Sequence, residues 1–333
     1  MPWAQDHAWN WYNARPWVCG FNYVPRTAIN STEMWQDATF DPDTMDQELG
    51  WASHIGLNSC RVFLQYLVWE DDGNGFLQRL DLFLDIAARH RVSVMPILLD
   101  DCAFVGKRPY LGPQAAPVPG VHNSGWTPSP GRDRVTNRAA WPRLEDYVTS
   151  VISRFAADGR VLAWDLYNEP GNDDMGSDSL PLLQEAFAWA RAANPQQPLT
   201  AGTWNPELKE LNEASRSLSD VLSFHNYDNL ARLEAEIAEL KSYGRPLLCT
   251  EWMRRTGGPS LFETHLPILR REGVGCWFWG LVQGKTQTHF PWGSLPGAPE
   301  PDIWFHDLLR ADGTPYREAE VAVIREQIAP SSP

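Results

Sequence analysis

Eight short apolar runs recur along this 333-residue chain, separated by stretches with the three-to-four-residue period of amphipathic helices. The runs lie at 18–24, 59–64, 93–99, 161–167, 198–202, 221–227, 246–252 and 275–281. Several are continuously hydrophobic rather than alternating, as strands are when both faces of a parallel sheet are covered. Between them, "DPDTMDQELGWASHIG" offers Asp41 as a helix cap, Pro42 at a first helical position and Gly56 beyond the end. "FLQRLDLFLDIAARH" sets Phe76, Leu80, Phe83, Leu84 and Ala87 on one face. Stretches of similar character follow at 141–159, 180–194, 229–244 and 261–273, with a weaker one at 205–217 and a last one at 314–328. Eightfold alternation of strand and helix predicts an α/β fold, a (β/α)8 TIM barrel, as one domain over 1–333. The alternative, a doubly wound sheet, lacks a glycine-rich nucleotide fingerprint after the first run.

Composition narrows the partners. With 28 Lys and Arg against 42 Asp and Glu the formal charge is −14, and no basic cluster offsets it. That excludes a nucleic-acid or anionic-membrane surface as the first expectation, and no apolar run approaches the length that spans a bilayer. The five cysteines (Cys19, Cys60, Cys102, Cys249, Cys276) show no CxxC spacing. They read as free thiols in a reducing compartment rather than a disulfide framework or zinc site. The opening residues show neither a basic nor an apolar signal region, so a cytoplasmic location is expected. The 17 tryptophans are many for such a chain. Indole combines a flat apolar face with one N–H, which suits the C–H faces and hydroxyl edges of sugars as well as ordinary core packing.

One connection is too long for a simple strand-to-helix loop. Residues 100–140 are rich in Pro and Gly and have no helical period. A mobile insertion and a functional wall both fit such a segment. Because it follows the third strand, barrel geometry puts it on the catalytic face, and we read it as a wall of the substrate cleft.

Barrel enzymes carry their chemistry at the C-terminal ends of the strands. There the fourth run ends in Asn168-Glu169-Pro170 and the seventh, "PLLCTEW", in Glu251. The second run holds Arg61, the sixth ends in His225 and Tyr227, the eighth holds Trp277 and Trp279, and the first holds Asn22 and Tyr23, followed by Arg26. Two carboxylates facing each other across a barrel mouth suit glycoside hydrolysis, in which one protonates the leaving oxygen and the other attacks or activates water. Arg61 and Tyr227 are expected to hold Glu251 ionised. Glu169 needs a less polar site that raises its pKa, and Asn168 is placed to bond a sugar 2-hydroxyl. Trp126, Trp204, Trp252 and Trp292 are further possible sugar platforms. His122, His289 and the Asp173-Asp174 pair are too scattered for a metal site, so no metal or cofactor is expected.

"WDLYNEP", "SFHNY", "LLCTEW" and "CWFWG", in that order, resemble the retaining glycosidases of clan A, most of all glycoside hydrolase family 5. The similarity runs over residues 18–281. It implies Glu169 as acid/base, Glu251 as nucleophile, Arg61, Asn168, His225 and Tyr227 in support, and Trp279 as a sugar platform on the eighth strand. "LLDDCAF" departs from the family by lacking a His that many members have near there, and Asp100 or Asp101 is expected to take over a sugar contact. The expected activity is therefore retaining hydrolysis of a β-linked sugar, exo-acting or on short oligosaccharides. The alternatives are an endo-acting β-glycanase, a transglycosylase, or a carbohydrate-binding barrel without catalysis. The sugar, linkage and oligomeric state are not specified by the residues.

Overall fold

The computed structural model describes residues 1–104 and 106–329. Eight parallel strands, β1 Cys19–Tyr23, β2 Ser59–Phe63, β3 Ser93–Asp100, β4 Trp164–Asn168, β5 Leu199–Thr200, β6 Leu222–His225, β7 Leu247–Trp252 and β8 Gly275–Phe278, form one sheet in the order β5-β4-β3-β2-β1-β8-β7-β6. The seam between β5 and β6 is closed by a parallel bridge between Thr203 and Phe224. The result is a (β/α)8 barrel. Each expected helix is present, and the local chemistry explains its ends. Pro42–Ile55 starts on Asp41, whose side chain accepts from the Thr44 N–H, and ends at Gly56 with φ 108°, a left-handed turn that favours glycine. Strand 4 begins later than its sequence suggests. Val161 makes only an isolated bridge to Val94, and continuous pairing starts at Trp164.

The barrel interior is layered. Its lower layer is apolar, built from Val18, Met95, Leu162, Val221, Leu248 and Trp277. An N-terminal helix, Gln5–Asn13, covers that end and packs Ala8, Trp11 and Tyr12 against the layer. Trp3 N–H donates to Asp220, Trp9 Nε1 to the Gly244 carbonyl and Tyr12 OH to the Gly273 carbonyl, which fastens the helix to the strand-preceding loops. Gly20 makes room for Trp277: a Cβ there would come within 2.3 Å of the Ser59 carbonyl and 2.7 Å of the indole. Above this the interior turns polar, with Asn22, Arg61, Asp165, Thr200, Ser223 and Thr250 all buried. Their hydrogen bonds form the floor of the site.

The segment after β3 is ordered around a tether. Asp100 and Ser129 exchange backbone hydrogen bonds as an antiparallel bridge. Farther out it clasps the segment that follows β8: Asn123 N–H donates to Thr286 O, Gly297 N–H to Pro119 O, and the His122 ring to Phe290 O. The long post-β8 segment is held in turn by Arg255, buried against Glu320 and donating to the carbonyls of Trp304, His306 and Asp307.

Candidate active site

Each acid stands where backbone geometry changes abruptly. Glu169 is the first residue beyond β4 and adopts φ 44°, a left-handed conformation costly for a residue with a side chain. Asp101 holds that turn: it accepts from Tyr167 OH at 2.7 Å, from the Gly171 N–H at 2.8 Å and from Ser179 Oγ. Glu251 lies in β7 where the register with β8 shifts between Cys249 and Trp252, and the register of β6 with β7 shifts between Phe224 and His225. Such irregularities re-aim side chains beside sites.

Arg61 organises the floor. Its Nε and Nη2 reach Asp165 Oδ2 at 2.9 and 2.7 Å, its Nη2 reaches Asn168 Oδ1 at 2.7 Å, and its Nη1 reaches Asn22 Oδ1 at 2.8 Å and Glu251 Oε1 at 2.9 Å. Asn22 passes its amide on to the Thr250 carbonyl at 2.8 Å. The other oxygen of Glu251 accepts from Tyr227 OH at 2.9 Å. His225 Nδ1 shares a hydrogen bond with Glu169 Oε1 at 3.0 Å and lies 3.6 Å from Glu251 Oε2. Burial lowers the His225 pKa to about 4, so this ring is neutral across the physiological range. Burial raises the Glu169 pKa, against the lowering effects of the Asn172 amide, Arg61 and Cys102. That direction suits a carboxyl that must carry a proton.

The carboxylates are close: one oxygen of each and a ring nitrogen of His225 all lie within 4.8 Å of one another. This fits the ~5–5.5 Å of retaining glycosidases and not the ~6.5–9.5 Å that leaves room for an attacking water. These three side chains are also the one His/Cys/Asp/Glu group among the described residues near enough to hold a metal ion. Both Glu251 oxygens, however, already accept hydrogen bonds from protein donors.

A cavity of about 970 Å³ opens above the pair. Asn168, Glu169, His225, Tyr227, Glu251, Trp126 and Trp279 line it, as do Trp204 and Trp292. Trp279 and Trp126 meet edge to face at 5.9 Å, and Phe63 packs edge-on against both. Arg61 and Asn22 lie beneath the cavity and act through their neighbours.

Three expectations are corrected. Asp101 faces away from the cavity into the Glu169 turn, because Tyr167, Gly171 and Ser179 occupy its oxygens. Asp100 does not reach sugar either; it accepts from Asn168 Nδ2 at 2.8 Å and from Trp126 Nε1 at 2.9 Å, so it orients two residues that do line the cavity. Trp252 is buried outside the barrel wall against Phe262 and His265. The sequence reading also missed Asp165, the main partner of Arg61. A charged residue inside an apolar strand, four positions before Glu169, was its signal. Asn172, which donates to Glu169 Oε2, offered none.

The barrel, the two acids at β4 and β7 and their spacing are the arrangement of retaining glycoside hydrolases. Residues 120–284 match the family model described as cellulase (glycosyl hydrolase family 5). That match and the fold of the solved structures are consistent with clan A and glycosyl hydrolase family 5. Solved structures share the fold at low identity. The exo-β-1,4-mannosidase Op5Man5 from Opitutaceae bacterium strain TAV5 superposes with a TM-score of 0.66 at 17% identity, covering 93% of this chain and 59% of its own. A variant of GH5_18 from Streptomyces cattleya, solved with Manb1-4GlcNAc, gives 0.63 at 14% identity, covering 96% and 82%. The endo-β-1,4-mannanase from Thermotoga petrophila gives 0.60 at 16%, covering 95% and 77%. This chain thus spans less than two thirds of the length of the Opitutaceae mannosidase. No curated protein matches the chain by sequence.

Proposed function

We propose that the protein is an exo-acting, retaining β-mannosidase for short oligosaccharides, working by double displacement. Glu251 attacks the anomeric carbon as Glu169 gives its proton to the leaving oxygen, which breaks the glycosidic bond and leaves the sugar esterified to Glu251. Glu169, now ionised, takes a proton from water, the hydroxide adds to the anomeric carbon, and Glu251 departs with net retention. Asn168, held by both Arg61 and Asp100, is positioned to bond the 2-hydroxyl as positive charge develops on the ring.

The exo reading rests on one observation, the clasp between the post-β3 and post-β8 segments. Glu169 delivers its proton to the leaving group, so the leaving group lies on the β4 side. The opposite side receives the sugar that Glu251 attacks, and there Trp126, Phe104, His122 and Trp292 line a cavity whose rim is tied by the bonds of His122, Asn123 and Gly297. A chain extending past the attacked sugar meets that wall. On the β4–β6 side the cavity runs out between helices Lys209–Leu218 and Leu230–Lys241. Mannose as the sugar draws on the mannosidases and the Manb1-4GlcNAc complex among the similar structures. The five free cysteines support a cytoplasmic location. Product analysis tests the proposal: 4-nitrophenyl β-mannoside and β-1,4-mannobiose should be cleaved best, with mannose released singly from longer oligomers. Mid-chain cuts in mannan refute the exo reading, and preference for another aryl β-glycoside refutes the sugar.

A further inference from the structure

Two histidines absent from the reaction scheme face the same cavity, His122 in the post-β3 segment and His306 in the post-β8 segment. Their rings lie 5.5 Å apart, and that of His306 stands 5.7 Å from Tyr227, the residue bonded to Glu251. In each ring Nδ1 is committed to a backbone carbonyl, His122 to Phe290 O and His306 to Met253 O, both at 2.7 Å. A carbonyl can only accept, so each Nδ1 carries the hydrogen and each Nε2 of the neutral ring is left with a lone pair. Burial keeps both rings neutral, lowering the His122 pKa to about 4 and that of His306 well below its ordinary value. Neither Nε2 has a hydrogen-bond partner among the described residues, although His122 is 4% and His306 1% exposed.

We propose that His122 and His306 are specificity residues whose Nε2 atoms accept hydrogen bonds from hydroxyls of the terminal sugar, remote from its anomeric carbon. Two fixed acceptors select a ligand with neighbouring O–H groups, which is what an unsubstituted sugar end presents. Edge-to-face and tilted contacts with Trp292, Phe305 and Tyr227 fix the planes of the two rings, so the acceptors are held before the sugar arrives. The proposal rests on the reading that the glycone lies on this side of Glu251.

The test compares kcat/KM for 4-nitrophenyl β-mannoside with its 3-, 4- and 6-deoxy analogues, in the wild type and in His122→Asn and His306→Asn. Asparagine keeps an N–H close to the Nδ1 position and removes the Nε2 acceptor; His122→Phe and His306→Phe are second variants that keep the ring shape. The wild type is expected to lose roughly ten- to hundredfold on at least one deoxy sugar, as expected when a buried acceptor loses its donor. Each histidine variant should lose a similar factor on the parent but little more on the deoxy sugar that lacks its partner hydroxyl. Wild-type rates within threefold across the deoxy series overturn the proposal whether or not a variant folds. Equal deoxy penalties in wild type and variants overturn it as well. If the wild type cleaves no aryl β-glycoside, or cuts only within chains, the underlying functional reading fails instead.

Discussion

Arg61 Nη1 lies 2.9 Å from Glu251 Oε1, and the two side chains are 0% and 10% exposed. The same guanidinium carries Asp165 on its other edge and touches Asn168 and Asn22, so one cation sets the positions of the proposed nucleophile and of the Asn168 amide together. Because it is planar and presents donors in a fixed fork, an ammonium cannot replace it. Arg61→Lys is expected to lower kcat at least about a hundredfold, whereas Arg61→Met should also lose about 3–5 kcal/mol of stability by leaving Asp165 charged and unpaired. Denaturant titration and steady-state kinetics on both variants separate the two effects. Near-wild-type kcat in Arg61→Lys contradicts the positioning role.

Burial raises the Glu169 pKa in the folded protein above its unfolded value of 4.5. The folded state therefore binds more protons than the unfolded state between those two values, and stability falls as pH rises through the window. Glu169→Gln removes that penalty. Its melting temperature should exceed the wild type at neutral pH, and the gap should close below about pH 4, where the wild-type carboxyl is protonated in both states. A gap independent of pH means the gain comes from something other than the carboxylate.

The same proton governs leaving-group dependence. Glu169→Ala should slow cleavage of disaccharides by at least about a hundredfold, while 4-nitrophenyl glycosides, whose phenolate leaves without protonation, lose much less in the first step. Equal losses on both substrates argue against Glu169 as the proton donor.

Much of this was legible in the chain because the signals are local. A strand shows itself in five or six neighbouring residues, and the acids of β4 and β7 stand directly at the ends of such runs, so all eight strands and both carboxylates could be located. Asp100 and Asp101 were not separable by the same logic. They adjoin in sequence, yet one turns to Asn168 and Trp126 and the other to Gly171 and Ser179, a choice made by the turn after Glu169 rather than by β3. The terminal helix Gln5–Asn13 escaped notice because its buried face is a few aromatic residues that fit only against the lower end of the finished barrel. His122 and His306 are 184 positions apart and come together only through the clasp of two segments without periodicity.

Asp101 makes a further prediction about that turn. Its replacement by Ala leaves Tyr167 OH, the Gly171 N–H and Ser179 Oγ without their acceptor inside the protein, which should cost about 1–3 kcal/mol. Because the turn carries Glu169, kcat should fall with KM little changed. A variant as active and as stable as the wild type shows that the turn holds itself.

The central claim is that Glu251 becomes covalently bonded to the sugar. Glu251→Gly removes the nucleophile while leaving Arg61, Asn168 and Glu169 in place, so it should have almost no activity on 4-nitrophenyl β-mannoside. Added azide should then fill the vacated space, restore nitrophenolate release and yield the α-mannosyl azide, the product of one displacement. Turnover that survives the substitution without azide, with mannose as product, contradicts the account.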